Sequence, residues 1–172
     1  VLAFFESGRP EQEADGVLMV ADRNANSRGV RELLEGEPGQ MRDLEEGLVQ
    51  GRFTHVLCLG TTSREPTHAQ GVVEKPGTWL VLGARKGIFE IRADILLPVA
   101  GPLESEGGML NHAGKLGVSE RVVPPVGDAR PAHRAVAALI EGLGFGTPFA
   151  NLSELRRSPA LRASAAAGGR LS

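Results

Sequence analysis

The sequence predicts an α/β fold, with a mostly parallel sheet that has helices on both faces in a Rossmann-like arrangement. Short apolar runs at 16–21, 54–60, 79–83 and 95–99 alternate with segments of helical periodicity. Each run is continuous rather than alternating, which is typical of parallel strands covered on both sides. The last of them, at 95–99, is therefore expected in the middle of the sheet.

The segments between the strands carry apolar residues at helical spacing. The clearest helix follows Asp128, a candidate N-cap, and the first helix has Asn26 or Ser27 as its candidate cap. Residues 116–123 are expected to form a short, partly exposed strand. The predicted helices are marked by Val30, Leu33 and Leu34; by Met41, Leu44, Leu48 and Val49; by the segment 65–74; and by Val136, Leu139, Ile140 and Leu143.

The domain organisation follows from length and composition. The 172 residues fit one domain, and we assign residues 1–150 to an α/β domain that is a fragment of a larger chain. That expectation rests on the first residue, Val1, and on the apolar start of the chain. From about residue 158 the composition turns to Arg, Ser, Ala and Gly, so we expect residues 151–172 to be a largely disordered tail.

Composition excludes several classes of function. The net charge of −2 does not favour binding to nucleic acid, so no nucleic-acid partner is expected. No apolar run reaches the roughly 18 residues of a membrane span, so no direct membrane insertion is expected. The single cysteine, Cys58, excludes an internal disulfide and is predicted to be a small core residue in a reducing compartment. The four histidines lack metal-ligand spacing, so no metal site is predicted. Ser105 has no nucleophile motif, and no catalytic residue is assigned.

The polar stretch at 104–115 is the best candidate for a binding site. It leaves the carboxyl end of a predicted strand, which is where open α/β sheets usually hold ligands. Its glycines allow close backbone approach, and Asn111 offers both a donor and an acceptor. Two interpretations stay open, a ligand-contacting loop and a structural loop bonded to itself. The Gly83–Gly87 loop is a weaker candidate for phosphate, because it lacks the complete glycine-rich motifs.

The segment ADILLPVAGPLESEGGMLNHAGK resembles the pattern A-D-V-V-L-P-A-A-x-x-x-E-x-x-G-T-x-x-N-x-E-G-R of the molybdopterin oxidoreductases. Weaker similarity extends to ADRNANSRGVREL and FTHVLCLGTT, so the resemblance covers about residues 16–145. Within that family the chain most resembles the large peripheral-arm iron–sulfur subunit of bacterial NADH-quinone oxidoreductase, the respiratory complex I. The resemblance implies a molybdopterin-oxidoreductase-type domain.

The resemblance also implies a set of cofactor-binding positions. Asp94 and Pro98 match the strand of the pattern, while Gly108 replaces its threonine and Ala113 its glutamate. Two polar side chains of the pattern are therefore absent, which implies a vestigial site. The implied cofactor-binding residues are Glu104, Gly107, Asn111, Gly114 and Lys115, with the lysine standing for the usual arginine.

Two functions follow from the resemblance. The first is a C-terminal structural and interaction domain of the large iron–sulfur subunit, which supports electron transfer from NADH to quinone. It implies contacts with other peripheral-arm subunits, a cytoplasmic position on the inner face of the bacterial plasma membrane, and no cofactor in this fragment. Iron–sulfur clusters would lie in an N-terminal part. The alternative is a cofactor-cradling fragment of a formate dehydrogenase-type enzyme, which binds molybdopterin guanine dinucleotide.

Overall fold

A three-stranded parallel sheet with crossover helices organises the computed structural model and confirms the α/β class. The structure describes residues 5, 13–16, 26–33, 38–59, 70–111 and 113–157. Residues 17–21 of the predicted strand at 16–21, the segment 61–69, His112 and the chain beyond 157 lie outside them. In chain order the elements are α1 (Ser27–Leu33), α2 (Met41–Val49), β1 (His55–Leu59), α3 (Gln70–Val73), β2 (Thr78–Gly83), α4 (Ile88–Arg92), β3 (Ile95–Pro98), β4 (Gly107–Leu110), β5 (Leu116–Ser119), α5 (Ala132–Gly142) and α6 (Leu152–Arg156).

The chain divides into two units, each with its own set of elements. Unit 1 comprises residues 1–7, 39–105 and 120–148, and unit 2 comprises residues 8–38, 106–119 and 149–172. Unit 1 contains the parallel sheet in the order β1-β2-β3, so strands that are consecutive in sequence are neighbours in space. Unit 2 contains the antiparallel β4–β5 pair, with α1 packed near β4.

The core of unit 1 lies on one face of the parallel sheet. Trp79 in the central strand is 1% exposed and stacks on Phe89 of α4 with 6.1 Å between the ring centroids. Burial of large aromatic rings supplies much of the hydrophobic stabilisation of a core. Cys58 packs against the same cluster, as predicted. The buried residues of the cluster are Met41, Leu44, Leu48, Val72, Trp79, Val81 and Phe89.

The other face of the sheet is partly open. Leu57, Leu59 and Ile95 are 46%, 59% and 52% exposed, although all three are aliphatic. The strand register aligns Leu57, Leu80 and Ile95 in one row and Leu59, Leu82 and Leu97 in the next. Leu82 is fully buried, and we call the other five residues the open sheet face.

The expectation that the run at 95–99 lies in the middle of the sheet is wrong. Ile95 is half-exposed, and so is Leu96, at 48%. The reason is that β3 is the last strand of the described sheet, and its outer side has only one isolated bridge, between Val99 and Arg130. An edge strand has a neighbouring strand on one side only, so its side chains are less buried than those of a central strand.

Two local predictions need correction. Residues 107–110 form β4, paired with β5, because backbone pairing stabilises a glycine-rich segment that propensity does not mark as a strand. The N-cap of α5 is Pro131 rather than Asp128. Asn26 directly precedes α1, and its carbonyl oxygen accepts a hydrogen bond from the Val30 amide at 3.0 Å. It adopts φ 59°, and its Oδ1 accepts a hydrogen bond from the Leu110 amide of β4 at 2.9 Å.

Gly47 of α2 is a position where the packing requires glycine. A Cβ at this residue would collide with the ring of Phe53, which in turn meets Phe5 edge-on at 5.4 Å between centroids. We expect Gly47→Ala to lower the free energy of unfolding by about 1–3 kcal/mol, the usual cost of overpacking. Urea denaturation of the full chain measures this loss.

The matched control is Gly142→Ala at the end of α5, where an added Cβ meets nothing within 4 Å. There the same substitution should stabilise the chain by up to about 1 kcal/mol, because alanine favours the helix. Equal effects at the two positions would contradict the packing argument.

Candidate functional site

At the start of the segment 93–115, two hydrogen bonds join β2 to Asp94, the residue that precedes β3. The Asp94 amide donates to the Trp79 carbonyl oxygen at 2.9 Å, and the Trp79 amide donates to Asp94 Oδ2 at 2.7 Å. Arg92 lies 3.2 Å from the same carboxylate oxygen and donates to the Gly77 carbonyl oxygen at 2.8 Å. The hydrogen bond from the Trp79 amide, assisted by Arg92, holds the pKa of Asp94 below its usual range. Asp94 therefore has a structural part in aligning the two strands.

Glu104 lies in unit 1, in the turn that follows β3. Its Oε2 accepts a hydrogen bond from the Gly101 amide at 2.9 Å, and its own amide donates to the Gly101 carbonyl oxygen at 3.0 Å. The Ser105 hydroxyl donates to that same carbonyl oxygen at 3.0 Å. The Glu104 carboxylate thus stabilises its own turn, in the way that short polar side chains compete for nearby backbone groups.

Asn111, Gly114 and Lys115 share the turn of the β4–β5 hairpin in unit 2. Asn111 Oδ1 accepts from the Lys115 amide at 2.8 Å, and the Asn111 amide donates to the Lys115 carbonyl oxygen at 3.0 Å. The Gly114 amide donates to the Asn111 carbonyl oxygen at 2.9 Å. The turn is closed by its own hydrogen bonds, while the side chains of Asn111 and Lys115 remain exposed.

Gly114 is required by both backbone conformation and packing. Its φ of +78° favours glycine, and a Cβ there would lie 2.8–2.9 Å from the guanidinium atoms of Arg28. Arg28 in turn pairs with Glu32 across one turn of α1, with Nε 2.8 Å from Oε1. The glycine therefore allows a cation of α1 to pack directly against the hairpin turn.

Gly107 lies at the other end of the hairpin. It pairs with Ser119, whose hydroxyl donates to the Gly107 carbonyl oxygen at 3.3 Å. Of the five predicted positions, Asn111, Gly114 and Lys115 are brought together in one turn. Gly107 is at the opposite end of the same hairpin, and Glu104 belongs to unit 1.

The Glu90 carboxylate lies against both glycines of the Gly83–Gly87 loop. A Cβ on Gly83 would lie 2.6 Å from Glu90 Oε1, and one on Gly87 would lie 2.9 Å from Glu90 Oε2. A negative charge in front of both glycines disfavours phosphate at this position.

Burial, and then the charge of Glu90, raise the pKa of the Cys58 thiol to about 11.

Two partners in this region could not be found from the sequence pattern. Asn26 reaches the Leu110 amide across 84 positions of sequence, and Arg28 reaches Gly114 in the same hairpin. The only signal is the weak similarity of the segment around Asn26 to the molybdopterin oxidoreductases. The sequence predicts Trp79 as part of a strand, but it does not indicate the reciprocal bonding with Asp94.

Comparison with known proteins gives one partial similarity. The chain is 37% identical over 71 residues, or 41% of its length, to the mitochondrial NADH dehydrogenase [ubiquinone] iron-sulfur protein 1 of Solanum tuberosum. The match spans 9% of that protein. No family model matches the chain. In the part of the chain that the structure describes, no helix is long and apolar enough to cross a membrane.

The lowered pKa of Asp94 predicts a dependence of stability on pH. A carboxyl group whose pKa is lower in the folded chain stabilises it above its unfolded pKa of about 3.9 and loses that effect as the pH falls through the folded value. We expect Asp94→Asn to destabilise the chain at pH 7 and to reduce its loss of stability in acid. Urea unfolding between pH 7 and pH 3 measures both effects.

Asp128→Asn is the matched control, since Asp128 is exposed in the loop before α5. Its unfolding profile should follow that of the unmodified chain. A profile for Asp94→Asn that is parallel to the unmodified one at every pH would contradict the role given to the Asp94 carboxylate.

Proposed function

We propose that this chain is a structural and interaction domain of an NADH-quinone oxidoreductase, the C-terminal part of its large peripheral-arm iron–sulfur subunit. In this role it supports electron transfer from NADH to quinone, which iron–sulfur clusters elsewhere in the protein carry. The observation that carries the proposal is the 37% identity over 71 residues to an iron–sulfur protein of NADH dehydrogenase. The resemblance of the segment at 93–115 to the same class of subunit supports it.

The bonding within the candidate segment favours a structural role over cofactor binding. The Glu104 carboxylate accepts from Gly101, and the Asn111 side chain accepts from Lys115, so both serve their own turns. At Gly108 and Ala113 the polar side chains of the molybdopterin pattern are replaced by small ones. We propose that a vestigial cofactor loop is formed by Glu104, Gly107, Asn111, Gly114 and Lys115.

The open sheet face supports an interaction role. Parallel sheets are normally covered on both faces, and sizeable exposed apolar patches on soluble domains mark contacts with other proteins. Here Leu57, Leu59 and Ile95 expose about half of their surface. We propose that the partners are other peripheral-arm subunits of the oxidoreductase, on the cytoplasmic face of the bacterial plasma membrane.

The proposal is tested by purifying the protein from its native membranes through an affinity tag on the chromosomal copy. We expect the tagged protein to co-elute with NADH-oxidising activity, measured with ferricyanide, and with iron in excess of molybdenum. A parallel purification from an untagged strain controls for carry-over. Stoichiometric molybdenum with pterin in the eluate would favour the formate dehydrogenase-type alternative, and tagged protein without NADH oxidation would overturn the proposal.

A vestigial loop predicts that Asn111→Ala has little effect on electron transfer. The substitution removes the hydrogen bond from the Lys115 amide, which should destabilise the turn by about 1 kcal/mol. We expect NADH:quinone reductase activity of membranes carrying the variant to remain within about twofold of the unmodified level.

The amount of assembled complex is measured alongside by immunoblotting of native gels. A collapse of activity in a complex that assembles normally would count against a structural role. Lys115→Ala, which keeps both the Lys115 amide and the Asn111 side-chain oxygen of that hydrogen bond, provides a second variant in the same turn, and its activity should likewise stay close to the unmodified level.

An interaction role predicts that a charge on the open sheet face impairs assembly. Leu59→Glu should reduce incorporation of the chain into the complex severalfold, because a buried carboxylate without a partner is costly. Its effect on unfolding of the isolated chain should be small, since Leu59 is 59% exposed there. Co-purification yield and urea denaturation measure the two effects.

Val49→Glu is the matched control, because Val49 is 61% exposed on α2, outside the open sheet face. We expect this variant to assemble normally. Equal incorporation of both variants would contradict the assignment of the open face to an interface.

A further inference from the structure

We draw no further inference here: the strongest candidate, the open apolar face of the three-stranded sheet in unit 1, belongs to the interaction role already proposed, and nothing in the structure shows which polypeptide covers it.

Discussion

The reciprocal pair of hydrogen bonds between Trp79 and Asp94 is the constraint on which unit 1 depends. It fixes where β3 begins beside β2, and the parallel register from Leu80↔Ile95 onward follows from it. The same residue, Trp79, fills the core through its ring and its stacking on Phe89. Arg92 pairs with the Asp94 carboxylate and also lies over the indole ring, with 5.7 Å to its centroid. Strand alignment, through the backbone of Trp79, and core packing, through its ring, are therefore coupled in one residue.

Much of the fold could be predicted from the sequence, because its parallel strands are continuous apolar runs and its helices carry regular stripes. The bounds of β1, β2, α2 and α5 lie close to the predicted ones. The strand β4 could not be predicted, since Gly107 and Gly108 have low strand propensity and depend on pairing with β5. Exposure of Ile95 could not be predicted either, because composition does not reveal whether a strand lies inside a sheet or at its side.

For the candidate site, too, the sequence predicts which residues are present but not which groups they contact. The sequence leaves two interpretations of the segment at 104–115 open, and the hydrogen bonds of Glu104 and Asn111 within their own turns favour the self-bonded one. Which groups an exposed carboxylate or amide will contact depends on turn geometry that a pattern of residue types does not contain. The contact of Arg28 with Gly114 depends on how a distant helix packs, so it is not visible in the sequence.

The environment of Cys58 has a consequence for the chemistry around it. With a pKa of about 11, roughly one thiol in a thousand is ionised at pH 8. The thiolate is the form that attacks peroxide and other oxidants, so this sulfur oxidises slowly. The chain therefore holds its single cysteine in the form that resists oxidative damage.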